Sequence, residues 1–112
     1  MDIAFEEEDG VTTALLQGRL DTNTSPQAGE ELMARVNSNT QGLVINLSET
    51  VFISSSGLRI LLQCAKLMKR QDRKLALCCA NEQNLEVLEI SGFLTLMDHH
   101  ATLESALTAV RG

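Results

Sequence analysis

Tryptophan and tyrosine are missing from this chain, and Phe5, Phe52 and Phe93 are the only aromatic residues among 112. Stacking surfaces for bases or sugars are therefore nearly absent, and a core has to be built from Leu, Val, Ile, Met and Ala. Positive charge is also scarce: nine Lys and Arg face fifteen Asp and Glu, for a formal net charge of −6 and a pI near 4.8. Such a field repels phosphate backbones and anionic lipid surfaces, so neither nucleic acid nor a membrane is an expected partner. The first residues, Met1 to Glu8, lack the basic and apolar segments of a secretory signal, and no apolar run approaches membrane-spanning length. A soluble, cytoplasmic protein is expected.

Several kinds of chemistry lack their parts. The cysteines Cys64, Cys78 and Cys79 are odd in number and show no paired short spacing. Adjacent Cys78 and Cys79 would point to opposite faces of a strand, so buried thiols in a reducing compartment are expected. The histidines are the neighbours His99 and His100 alone; their side chains diverge, and no third metal ligand stands near them. No glycine-rich phosphate loop occurs, so no nucleotide or other cofactor is expected to bind this chain. Serines are plentiful, but the G-x-S-x-G elbow is not present and no base is placed beside them. Catalysis is therefore not expected.

What remains is a globular composition, 44% hydrophobic and 21% charged. A length of 112 residues suits one domain with one core, taken as residues 1–112. Ile3 and Phe5 alternate with polar neighbours, Glu8-Asp9-Gly10 reads as a turn, and Val11 to Leu16 resumes extended structure, giving an opening hairpin. Glu6, Glu7, Glu8 and Asp9 read as a solvated acidic patch. Thr24 or Ser25 can cap a helix with Pro26 in its first turn and with Leu32, Met33 and Val36 inside, ending near Asn37 to Asn39. Leu43 to Ser48 is a short, nearly continuous apolar strand of the kind covered on both faces, and belongs centrally in a sheet.

Beyond an extended run through Val51, Phe52 and Ile53, the residues Leu58, Leu61, Leu62, Ala65 and Met68 recur at helical spacing. Lys66, Lys69, Arg70, Arg73 and Lys74 crowd that helix's C-terminal end, where positive charge complements the dipole. Leu75 to Ala80 reads as a second buried strand. Asn81 can cap a helix carrying Leu85, Val87, Leu88 and Ile90 and stopped by Ser91-Gly92. Leu94 to Met97 reads as a last short strand, followed by a helix with Leu103, Ala106, Leu107 and Val110. Strand and helix alternate after the hairpin, which calls for an α/β fold with a mostly parallel mixed sheet of about five strands and about four helices. In such sheets the ligand-facing crevice lies at the C-terminal strand ends, where the loop after Leu47 and the serine junction project.

The junction Ile53-Ser54-Ser55-Ser56-Gly57 is where chemistry concentrates. A hydroxyl there can accept from an unpaired N–H of the first helical turn, and glycine lets another surface approach closely. Any of Ser54, Ser55 and Ser56 could be the cap. One cap suffices, so two hydroxyls are left as plain turn residues or as groups displayed for modification or contact.

Gly18-Arg19-Leu20-Asp21 before a capped helix, the Leu43 to Leu47 strand, the run Phe52-Ile53-Ser54-Ser55-Ser56-Gly57-Leu58-Arg59 and the later Ser91-Gly92-Phe93 together resemble the STAS domain. That domain is shared by bacterial anti-sigma-factor antagonists and sulphate-transporter tails, and the resemblance covers essentially the whole chain. It implies a STAS fold and places the family's regulatory residue, immediately before the glycine, at Ser56. It further implies a serine-kinase anti-sigma factor that binds the unmodified domain and phosphorylates it with ATP, and a serine phosphatase that reverses the mark. Asp21 matches the acidic residue of the family's first loop near the kinase-docking surface, and Thr22, Ser54, Ser55, Gly57, Leu58 and Arg59 complete the expected partner-binding face. Where antagonists commonly carry Asp two positions before the modified residue, this chain carries Ser54.

Phosphorylation adds about −1.5 to −2 charges at neutral pH, on a helix start that tolerates an anion. A partner packed there would have to desolvate the new charge, so a complex can be released with the fold intact. The rival readings are a non-switching STAS adaptor, attached to a transporter ATPase or a signalling scaffold, and an enzyme using one serine as nucleophile.

Overall fold

The computed structural model describes residues 1–38 and 40–111. Asn39 and Gly112, at the far limits expected for the first helix and for the domain, lie outside them. Strand β1 (Asp2–Glu8) pairs antiparallel with β2 (Val11–Leu20), in register from Asp2 against Gln17 to Glu8 against Val11. Asp9 and Gly10 join them with φ of 53° and 81°, the left-handed pair that a two-residue hairpin turn needs to match strand twist.

Strand β2 is long because it serves two partners on its other side. Over Val11 to Leu15 it runs parallel to β3 (Gly42–Asn46), and from Gly18 to Leu20 it runs parallel to β4 (Thr50–Ile53). The register shifts between Gly18 and Arg19, and Gly18 takes a φ of 112° that a side chain would resist. On the far side of β3 follow β5 (Lys74–Cys78) and β6 (Asp98–His100), both parallel. The main path is β1-β2-β3-β5-β6 with β4 beside β2, so among the described residues the mixed sheet has six strands, with β3 at its centre.

Alternation along the strands sorts the core into two layers. Leu43, Ile45 and Leu77 face a large cluster shared with helices α1 (Ser25–Val36), α2 (Ser55–Arg70) and α3 (Glu82–Ile90). Val44, Ala76 and Cys78 face a smaller cluster under α4 (Leu103–Arg111), with Ala106 and Val110. Burial pushes the Cys64 and Cys78 thiols up to about 12, so neither is a ready nucleophile. Cys79 is only half-buried, because the chain leaves β5 there with a φ of 63°.

The strand expected at Leu94 to Met97 is instead a single turn of 3-10 helix, Phe93–Thr95. Gly92, at φ 77°, turns the chain after α3 so that Phe93 and Met97 go inward while Leu96 is left 51% exposed. The sixth strand falls on polar Asp98-His99-His100, which a sheet edge can accept because one side needs no apolar partner. Ile90, read as a core contact, is 78% exposed. Within the basic cluster, Arg73 has a structural duty: its Nη1 donates to the carbonyls of Ser38 (2.9 Å) and Val36 (3.4 Å) at the end of α1.

Candidate functional site

Two loops meet because β2 and β4 run side by side and end together. The Ser54 amide donates to the Leu20 carbonyl (2.9 Å). Ser54 is extended (φ −85°, ψ 176°), and its Oγ accepts from the Gly57 amide (3.2 Å), so the first serine is the cap of α2. Gly57 is forced by closeness: a Cβ there would lie 2.7 Å from the Leu20 carbonyl oxygen and 2.8 Å from Leu20 Cγ. With the helix start pressed so tightly on the end of β2, the loop that follows Leu20 comes alongside, and Thr22 Oγ1 lies 3.3 Å from Ser56 Oγ.

Asp21 spends its carboxylate on that loop. Its Oδ1 accepts from the amides of Asn23 (3.0 Å) and Thr24 (3.1 Å), and its Oδ2 lies 3.6 Å from Arg19 Nε. The Thr24 amide, with the Asn23 amide, the Thr24 hydroxyl and the Arg19 charge behind it, outweighs desolvation and holds the Asp21 carboxyl below the usual carboxylate range. Thr24 occupies the cap position of α1, but its hydroxyl donates to the Arg19 carbonyl (2.7 Å) and makes no capping bond. The Arg19 guanidinium also lies over the Phe52 ring, 4.8 Å from its centroid, tying β2 to β4.

One residue that sequence reasoning missed holds the outer edge of β4. Asn84 is 1% exposed; its Nδ2 donates to the Thr50 carbonyl (2.9 Å) and its Oδ1 accepts from the Ile53 amide (3.2 Å). A side-chain amide thereby does what a neighbouring strand would do, and Asn81 Nδ2 adds weaker bonds to the carbonyls of Thr50 and Val51, at 3.4 Å each. The signal was present: Asn84 stands four residues before Leu88, on the inward face of α3, where an apolar side chain belongs.

The three serines therefore differ. Ser54 is half-buried and engaged as the cap. Ser56, the residue the resemblance singled out, is half-buried beside Thr22. Ser55, the first residue of α2, is exposed, and its side chain makes no hydrogen bond among the described residues. Ser55 also lines a groove of about 280 Å³ together with Leu58, Arg59, Leu62, Phe93 and Leu96. A second groove of about 270 Å³ lies between β4 and α3, lined by Phe52, Asn84, Val87 and Ile90. Among the described residues, Val51 (58%), Phe52 (39%), Ile90 and Leu96 are the large apolar side chains left exposed, and three of them line these grooves. A larger cleft of about 390 Å³, between Leu75 and Val110, belongs to the β5 and α4 side of the sheet and contains none of the serines.

The expected partner-face residues fall together here. Asp21 and Thr22 sit on one loop, Ser54 to Arg59 on the adjoining helix start, and Thr22 with Ser56 bridges the two. His99 and His100 belong to β6 and are bonded elsewhere: His99 Nε2 accepts from the Ala80 amide (3.1 Å), and His100 Nδ1 lies 2.7 Å from Ser105 Oγ. Desolvation, helped by His100 and opposed by Glu89, lowers the His99 pKa and keeps its ring neutral enough to accept that bond. Chemically, the site offers a displayed hydroxyl at a capped helix start beside apolar grooves.

Comparison with known proteins gives this site relatives. A family model of the STAS domain matches residues 2–106. BtrV of Bordetella bronchiseptica, assigned to the anti-sigma factor antagonists, is 33% identical over 111 residues, covering 99% of this chain and 96% of that protein. The anti-sigma F factor antagonist of Paenibacillus polymyxa is 30% identical over 112 residues, covering 96% of this chain and 93% of the other. Among solved structures, an anti-sigma factor antagonist from Mycobacterium paratuberculosis superposes with a TM-score of 0.87 at 27% identity, covering 99% of this chain and 94% of that one.

Proposed function

The chain belongs to the STAS domain family, and on that footing we propose that it is an anti-sigma-factor antagonist working by partner switching, as one cytoplasmic domain over residues 1–112. It binds an anti-sigma factor of the serine-kinase type while unmodified, and leaves it once a serine of the junction is phosphorylated. The kinase transfers the γ-phosphoryl group of ATP: an ester bond forms to the serine oxygen as the bond to ADP breaks, and the hydroxyl proton passes to a base on the kinase. A serine phosphatase adds water, returning serine and free phosphate.

A single observation carries the reading: an exposed hydroxyl, with no hydrogen-bond partner among the described residues, stands at a helix start on the rim of an apolar groove. The resemblance pointed to Ser56 as acceptor, and accessibility favours its neighbour Ser55, whose hydroxyl needs no bond broken before transfer. Asp21, Thr22, Ser54, Gly57, Leu58 and Arg59 form the rest of the contact face, with Asp21 acting through the loop it shapes.

The test uses the kinase-type anti-sigma factor from the same cell, with ATP and site-resolved mass spectrometry. One phosphate in the run is expected, lost in Ser55→Ala and retained in Ser56→Ala if Ser55 is the acceptor, with the reverse pattern marking Ser56. Tight binding that persists after incubation with ATP, with no phosphoserine found, would sink the switch. That outcome would favour the non-switching adaptor, for which the Phe52 and Ile90 groove supplies a surface apart from the serines.

A further inference from the structure

We propose that Arg59 is the internal counter-ion of a phosphate on Ser55, an inference that rests on the phosphorylation reading of the serine run. Ser55 opens α2 and Arg59 follows one turn later, so the two stand at i and i+4 on one face of the helix. Both line the same groove, and its other lining residues, Leu58, Leu62, Ser91, Gly92, Phe93 and Leu96, carry no charge. Arg59 is exposed, and it takes no part in the ion pairs formed among the described residues, Arg19 with Asp21 and Arg111 with Asp9. The order also suits pairing, since an anion four residues N-terminal to a cation is the better arrangement on a helix. A guanidinium fork, moreover, fits phosphate oxygens two at a time. Ser56 does not line this groove and lies against Thr22 on the other loop, so although it stands three residues before Arg59 the cation is expected to serve it less well than Ser55.

The pairing changes what the groove presents. Unmodified, the groove has an apolar lining with one guanidinium at its rim, which suits a partner's apolar side chain flanked by a carboxylate. With phosphate on Ser55 the guanidinium is taken up internally and a net negative charge remains at the rim. Modification then acts twice on one partner, adding an anion and withdrawing the cation it would have met.

The experiment needs no kinase. Phosphoserine is placed at position 55 during translation by stop-codon suppression, in the full chain with Arg59 and in its Arg59→Gln variant, and phosphorus NMR follows the second phosphate ionisation at low salt. That ionisation is expected at a pH lower by roughly 0.3 units with Arg59 than with the variant, with the difference shrinking at about 1 M salt and Arg59→Lys recovering part of it. Phosphoserine placed at position 56 is expected to show a smaller difference. Equal midpoints with and without Arg59, or a difference as large at position 56 as at 55, would overturn the proposal. Because the phosphate is installed synthetically, the titration reads out whether or not any partner switches, and a failed partner assay leaves it unaffected.

Discussion

The starts of α1 and α2 lie side by side at the ends of neighbouring strands, and both are rich in small polar residues. They use them differently. At α1, Asp21 accepts from two amides, the Thr24 hydroxyl closes on the Arg19 carbonyl, and the Ser25 hydroxyl donates to the Asp21 carbonyl, so the polar groups are taken up in shaping the loop. At α2, Ser54 alone does the capping and Ser55 is left over. A run of hydroxyls becomes a site where hydrogen-bonding capacity exceeds what the fold consumes; composition alone makes the two starts look equivalent.

The strongest way to break this comparison is to separate the two starts. Gly57→Ala puts a methyl 2.7 Å from the Leu20 carbonyl oxygen, and backbone must shift to admit it. A loss of about 2 kcal/mol in chemical denaturation is expected, with weakened partner binding, because the Thr22 and Ser56 contact depends on that closeness. Wild-type stability in this variant would mean that the starts are not clamped together.

A smaller effect comes from pH at α1. The Asp21 carboxyl titrates below its ordinary value of 3.8 in the folded chain, chiefly because of the Thr24 amide. Its ionised form therefore adds stability above the unfolded value, and that contribution fades as pH falls through the depressed folded value. Asp21→Asn should flatten this acid part of a stability profile by lowering stability at neutral pH, the two chains converging as pH falls through the depressed folded value. An acid limb identical in both chains would show that the carboxylate is not what shapes the loop.

Much of this architecture was legible in the sequence, since periodicity placed the hairpin, the central Leu43 strand and all four helices. The last strand was not, because Leu94 to Met97 is apolar enough to read as extended, and only the left-handed turn at Gly92 shows that it curls. Asn84 escaped for another reason: its partners Thr50 and Ile53 are 34 and 31 residues away, and a helix pattern says nothing about an open strand edge. At the serine junction, spacing identified the helix start and the resemblance singled out Ser56. Which hydroxyl is free depends on Thr22 arriving from 34 residues earlier, and no local pattern encodes that.

The finest distinction is between adjacent serines, and it gives the smallest predicted energies. Ser54→Ala removes the acceptor for the Gly57 amide and should cost about 1 kcal/mol, as lost caps do. Ser55→Ala removes an exposed hydroxyl that bonds to nothing in the fold among the described residues, so its stability should match the parent to within about 0.5 kcal/mol. Thermal or urea unfolding of the two variants reads this directly. If both lose the same stability, Ser55 is part of the fold and has no hydroxyl to spare. If only Ser54→Ala is weakened, the second hydroxyl is held in place at no structural cost and is open to modification without disturbing the scaffold that displays it.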